Sequence, residues 1–308
     1  MRPTASARAR PVSRSSARRE TRRRCGRRSM RLSELGEPGL LAELERRGLA
    51  RGIEHDAASL ADGVVVTQDA LVEGVHFRLD WTTWRELGFK AAAVNLSDLA
   101  ASGAEPEALL VTLGAPAETE LDDLLELYAG MNEPGVPVVG GDTTRADTIF
   151  LAVTAIGRSE RVPGRAGARP GELLVVTGPL GAAGAAFREE RHARPPLRLQ
   201  EGRRLALVAG ALTDISDGLA VDAAHIAERS GCRLEIDLER VPLADGATVR
   251  DLGFGEDYEL LAATPDPLGF SVIGRCDEGS GVEIHLRGNR VALTGWDHFG
   301  GRGAGDLH

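Results

Sequence analysis

The 308-residue chain contains a single lysine, Lys90, within a combined lysine and arginine count of 37. Ala91 follows it, so no GxxxxGK[ST] phosphate loop can be written anywhere in the sequence. A protein of this composition that handles nucleoside triphosphates must neutralise their phosphates with arginines and metal ions. Cysteine is scarce too. Cys25, Cys232 and Cys276 stand far apart with no CxxC pair, which argues against a zinc site or disulfide framework and fits a reducing cytoplasm. No apolar run approaches the ~20 residues of a membrane helix, so no membrane role is expected.

Charge is present in quantity but unevenly placed. Residues 1–29 hold eleven arginines and one glutamate, a local charge of +10; with the whole chain at −9, the remainder stands at −19. That leader has no apolar periodicity and cannot bury enough surface to fold. It reads as a disordered basic leader, with a nucleic-acid tail or a targeting peptide as open alternatives. Met30 begins a more ordinary N-terminus. An acidic body with local carboxylate clusters suits metal ions better than nucleic acid. The length allows two domains.

The most informative stretch is Val138-Val-Gly-Gly-Asp-Thr-Thr-Arg145. The run Val136–Val139 reads as a buried strand that ends in two glycines, placing Asp142 at its tip. Glycine lets the backbone approach a ligand closely. Asp56, Asp69, Asp98, Asp214 and Asp217 sit in similar settings. Crowded carboxylates repel one another unless a cation neutralises them, and hard oxygen ligands favour Mg²⁺, which usually holds a substrate phosphate as well. The reading is therefore a magnesium site for phosphate chemistry. Taken singly, Asp56 also reads as a turn residue, Asp217 as the N-cap of a helix over 218–230, His76 as a structural histidine or an anion contact, and Arg165 as a solvated loop cation or a phosphate clamp.

Along the chain, strands are expected at 64–69, 108–113, 136–139, 149–156, 173–177, 232–238, 271–274, 282–286 and 291–293, with a further strand reached through Ala262. Helices are expected at 32–48, 83–102, 121–131, 199–211 and after Gly181. Thr83 and Glu86 form a capping box for the second of these, whose apolar stripe is interrupted by Asn95, Ser97 and Asp98. The glycines at 178–181 could present N–H groups to an anion. The order implies mixed sheets with helices packed on them, an α/β class. The Arg, Gly and Pro-rich stretch 158–171 reads as a linker, dividing a unit at 30–160 from one at 161–308.

Six blocks in order resemble the thiamine-monophosphate kinase family and its wider group of aminoimidazole ribonucleotide and selenophosphate synthetases: Gln68–Phe77, Lys90–Ala104, Gly140–Arg145, Asp214–Leu219, Gly255–Leu260 and Gly295–Phe299. The resemblance implies a PurM-like two-domain fold, each domain a mixed sheet covered by helices, and a homodimer. It implies ATP-dependent phosphorylation of thiamine monophosphate with Mg²⁺, no nucleic acid, and a cytoplasmic location. Alternatives are another ATP-using synthetase of the group or an inactive nucleotide-binding homologue. By position, Asp56, Thr67, Gln68, Asp69, Asp98, Asp142, Asp214 and Asp217 correspond to magnesium ligands. Tyr128, Gly141, Asp142, Arg165 and Ser216 correspond to ATP contacts, and His76, Glu256 and Trp296 to substrate contacts. Neither a general base nor a covalent nucleophile is assigned. Two positions depart from the family pattern: Glu54-His55-Asp56 replaces a Gly-Asp-Asp, and Thr67-Gln68-Asp69 replaces a Ser-Thr-Asp.

Overall fold

The computed structural model describes residues 31–52 and 55–296. The expected basic leader, Glu54 and the Asp-His-Phe of the last block lie outside them. The first helix, α1 (Leu32–Arg46), is broken at Gly36 and buries none of its residues.

The first sheet contains β1 (Ala58–Ser59), β2 (Val64–Val72), β3 (Glu105–Ala115), β4 (Val138–Arg145) and β5 (Phe150–Arg158), in the order β1-β2-β5-β3-β4. β5 runs antiparallel to β2 and β3, and β4 lies parallel to β3. Side chains alternate between the faces of a strand. In β2, Val65, Thr67 and Leu71 are therefore buried, while Gln68 and Ala70 are exposed on the other side.

The second sheet begins after the first has ended. It contains β6 (Leu173–Val176), β7 (Ala211–Asp214), β8 (Arg233–Asp237), β9 (Leu260–Thr264), β10 (Ser271–Asp277), β11 (Gly281–Leu286) and β12 (Asn289–Val291), in the order β12-β11-β8-β10-β6-β9-β7. The β8–β11 pair is parallel and the remaining pairs are antiparallel. The accompanying helices are α2 (Trp84–Ala101), α3 (Leu121–Asn132), α4 (Ala182–Arg188), α5 (Leu199–Ala206) and α6 (Leu219–Ser230).

Helix α2 joins the two sheets. The capping box starts it: the Thr83 hydroxyl accepts from the Glu86 N–H, and Glu86 accepts from the Thr83 N–H at 2.8 Å. The sequence pattern implied one apolar stripe, yet 14 of its 18 residues are buried. The reason is that it packs on β2, β3 and β5 of one sheet, on β7 and β9 of the other, and on α3 and α5. A helix covered on all sides needs no polar face. Glycine makes the fit: a Cβ on Gly88 of α2 would run into the Leu127 carbonyl of α3, and one on Gly130 of α3 would run into the Arg85 carbonyl. Ala100 and Ala101 then continue into a core made with Leu205, Leu212, Leu260 and Ala262.

Three elements differ from the sequence expectation. The strand expected at 136–139 starts at Val138 and continues to Arg145, so the glycines lie inside it and do not end it. It is also an edge strand, exposed from Val139 onward, rather than a buried one. A Cβ on Gly141, at φ 146°, would strike the Val111 carbonyl of β3, so here glycine serves strand pairing. The helix expected to reach residue 211 stops at Ala206, and 211–214 is the strand β7.

Replacing Gly88 by alanine should force α2 and α3 apart and cost about 1–3 kcal/mol, against ~1 kcal/mol for Thr83→Ala at the cap. Urea denaturation of the two variants checks this, and a Gly88→Ala midpoint equal to wild type would show that the helices can separate freely.

Candidate active site

Three distant segments place carboxylates at one point. Asp56 comes from the loop before β1, Asp98 from the last turn of α2, and Asp214 from the end of β7. Each offers an oxygen within 4.8 Å of the others. Asp214 is 2% exposed, and the Asp56 side chain 4%. Hydroxyls hold them in place: Thr67 donates to Asp98, Ser97 to Asp214 at 2.6 Å, and Thr213 to Asp56 at 3.1 Å. Among the described residues, Arg165 is the cation that reaches the group. Its guanidinium donates to Asp56 and, through Nε, to the Thr213 hydroxyl at 3.2 Å.

The electrostatics show a deficit of positive charge. Burial raises the Asp98 carboxyl well above its ordinary range, and Asp69, Asp214 and Asp56 raise it further. Burial and then Asp56 push Asp214 up to about 8, against the opposing Ser97 hydrogen bond and Arg165. Arg165 is raised although burial works the other way, because Asp56, Asp222 and Asp214 outweigh it. An all-oxygen set of buried, mutually repelling carboxylates fits a hard divalent cation such as Mg²⁺.

Asp69 belongs to the same neighbourhood, since its charge is felt at both Asp98 and Asp214. Its N–H donates to Asn95 at 3.0 Å, and Asn95 donates to the Ala91 carbonyl. Of the polar residues interrupting α2, Asn95 therefore pins β2 to the helix, while Ser97 and Asp98 serve the cluster.

A second loop approaches from β7. Asp217 is not the cap of α6: that position is Gly218, and Asp222 inside the helix accepts from the N–H groups of Asp217 and Gly218 at 3.1 and 3.0 Å. The Ser216 carbonyl accepts from the Glu256 N–H at 2.8 Å, and the Asp217 carbonyl from the Trp296 N–H at 2.9 Å. Two expected substrate contacts hang in this way on one expected ligand loop.

The acids of Gly255–Leu260 divide by partner. Glu256 pairs with Lys90. Asp257 accepts the Gly181 N–H at 2.8 Å, so the anion at the start of α4 is an internal one. Glu259 is held by Arg198 and Thr177. His76 takes the Val72 N–H on Nδ1 at 3.1 Å, and its carbonyl accepts from Lys90.

Other expected residues are placed by different elements. Gly141 and Asp142 are on the exposed strand β4. Tyr128 packs, half-buried, on the core of the first sheet. The Gln68 side chain donates to Thr154 at 3.1 Å on the sheet face away from Thr67. Thr213, Asp222 and Lys90 were missed as parts of the site. For Thr213 the signal was adjacency to Asp214, and for Lys90 its being the chain's one lysine.

The family models described as AIR synthase related protein, N-terminal domain and C-terminal domain, match residues 54–159 and 169–267. The thiamine-monophosphate kinase of Aquifex aeolicus is 34% identical over 88% of this chain and all of its own length. That of Mycobacterium tuberculosis is 36% identical over 87% of this chain and 93% of its own. The chain belongs to the thiamine-monophosphate kinase family. A solved relative described as "AaThiL complexed with AMPPCP and TMP" superposes with a TM-score of 0.81 at 33% identity, covering 88% of this chain and 99% of that one. The fold is accordingly the expected α/β, PurM-like one. Within the family's acidic loop, His55 accepts the Arg165 N–H at 3.2 Å on Nδ1.

An acid raised by folding binds its proton more tightly in the native state, so stability falls as pH rises from the unfolded toward the folded pKa. With Asp214 raised from the ordinary aspartate range to about 8 and Asp98 raised as well, metal-free protein should lose thermal stability progressively from about pH 4 to about pH 8 and level off above. Magnesium should reverse this trend by holding the ionised form. Differential scanning calorimetry with and without the ion checks it, and identical pH profiles in the two series would contradict the metal assignment.

Proposed function

We propose that this protein transfers the γ-phosphoryl group of ATP to thiamine monophosphate, giving thiamine diphosphate and ADP. The observation that carries the reading is the buried Asp56–Asp98–Asp214 cluster, on a chain matched by kinases of that name over most of its length. The relative solved with AMPPCP and TMP supports both substrates.

Asp56, Asp69, Asp98, Asp142, Asp214 and Asp217, with the Thr67 hydroxyl and the Gln68 main-chain oxygen, would hold magnesium. The ion supplies charge neutralisation between carboxylates and phosphates. Arg165, half-buried beside Asp56, would contact ATP together with Tyr128, Gly141, Asp142 and Ser216. His76, Glu256 and Trp296 would contact the thiamine ester. In this scheme a monophosphate oxygen attacks the γ-phosphorus in line, and the bond to the β-phosphate oxygen breaks as ADP leaves. Such a transfer needs positioning and charge neutralisation more than covalent chemistry. The attacking oxygen is already deprotonated near neutral pH, so no side chain acts as general base and no phosphoenzyme forms. We further propose a cytoplasmic homodimer with domains at 30–160 and 161–308. The exposed edge strand β4 supports association, and among the described residues no helix is long and apolar enough to cross a membrane.

Thiamine diphosphate formation, followed by chromatography with ATP and magnesium, tests the reading; a wild type without turnover would end it. Asp98→Asn and Asp142→Asn should each lower kcat by at least about 100-fold, the scale of several kcal/mol of lost charge stabilisation. A normal rate for Asp142→Asn beside an inactive Asp98→Asn would remove Asp142 from the site.

A further inference from the structure

We propose that Lys90 is a positioning residue for thiamine monophosphate, holding Glu256 and the His76 turn in one fixed arrangement. The proposal rests on the function proposed above.

Lys90 lies in the first half of α2 and is 6% exposed. Its ammonium donates to the His76 carbonyl at 2.7 Å and to the two Glu256 oxygens at 2.8 and 2.9 Å. A lysine has three donors and no acceptor, so these bonds use its whole capacity. It is therefore not placed to bind a phosphate itself. What it does is tie together two expected substrate contacts that are 180 residues apart in sequence, one after β2 and one before β9.

The residue type fits the task. Elsewhere the chain uses arginine for its ion pairs. Here three acceptors converge on one buried point, which suits a compact ammonium better than a planar guanidinium. A buried ammonium is costly unless fully paired. Glu256 is constrained from the other side as well. Its φ is 57°, a left-handed value for a non-glycine residue, and its N–H is fixed on the Ser216 carbonyl. Backbone strain of this kind persists only where the surroundings impose it. The Glu256 side chain remains 28% exposed, so the carboxylate is oriented by Lys90 and still reachable. Each of its oxygens keeps acceptor capacity for a substrate group.

Steady-state kinetics with thiamine monophosphate and ATP varied separately test this. Lys90→Met should raise KM for thiamine monophosphate at least ~10-fold, the scale of one charge-assisted hydrogen bond. kcat and KM for ATP should stay within about twofold, as expected for loss of binding shared by ground and transition states. Lys90→Arg should restore part of the loss. In the Glu256→Gln background, Lys90→Met should raise KM by less than it does in the wild type, because the Glu256 share of its effect is already lost and only the hold on the His76 turn remains. An unchanged KM for thiamine monophosphate, a uniform loss across all parameters, or additive effects in the double variant would overturn the proposal. If Lys90→Met does not fold, Glu256→Gln and the double variant, which leaves no orphaned charge, decide it: a raised KM for thiamine monophosphate in both with kcat and KM for ATP held supports the proposal, and an unchanged KM or a uniform loss overturns it. A wild type inactive on thiamine monophosphate overturns both this proposal and the function it rests on, whereas an active wild type with an indifferent Lys90→Met overturns this one alone.

Discussion

Three carboxylates held within 4.8 Å of one another in a buried place repel, and much of the surrounding structure holds them there. The strands and helix that bring them are fixed by contacts that cannot drift. Helix α2 meets α3 backbone to backbone through Gly88 and Gly130, so Asp98 cannot slide along the helix axis without breaking that fit. β2 is pinned to α2 through Asn95, which keeps Thr67 and Asp69 facing the cluster. Asp214 terminates β7, an edge strand, but its place is set by pairing with β9 and by the Ser97 hydroxyl of α2. Packing energy in two cores is thus used to maintain one electrostatically unfavourable point.

The acids of this protein separate into two kinds by what satisfies them. Asp222 and Asp257 take backbone N–H groups near helix starts, and Asp251 and Glu259 take arginines. Arginine neutralises Asp251 and Glu259, whereas burial raises Asp222 and Asp257, and one Asp222 oxygen has no hydrogen-bond partner. Asp98 and Asp214 receive hydroxyls, and Asp56 shares one guanidinium and one hydroxyl. Hydroxyls orient a carboxylate without neutralising it. That imbalance, rather than the number of acids in a stretch, sets the Asp56–Asp98–Asp214 cluster apart from the arginine-paired Asp251 and Glu259.

The same distinction explains what could be read from the sequence. The capping box at Thr83, the strand beginning at Val64 and the polar interruption of α2 are local patterns, and local patterns carry their own geometry, although β2 runs on past Asp69 to Val72. Asp56, Asp98 and Asp214 could be grouped by their similar settings and by the resemblance, but their meeting at one point depends on contacts between residues far apart in the chain. β4 was misjudged since Gly140 and Gly141 are equally consistent with a strand end and with close pairing; the position of the strand at the sheet edge decides, and that is a tertiary fact. Asp217 looked like a cap because Asp precedes a helix, yet Asp222 inside the first turn supplies the acceptor instead. Lys90 was legible as a rarity and not as a contact, since Glu256 lies far downstream.

His55 shows how the site tolerates a change of charge. Where the family resemblance implies a carboxylate, the imidazole offers a ring nitrogen, and Nδ1 receives the Arg165 N–H. Gly164 makes the approach possible, because a Cβ there would collide with the ring. The loop carrying Arg165 is therefore held by a hydrogen bond and close packing instead of by a second charge. One fewer negative charge beside Asp56 reduces the repulsion in the cluster, while the arginine keeps its position. In this chain the placement of Arg165 depends on shape at His55 and on charge at Asp56, so the two functions that adjacent acids would have combined are divided between different residues.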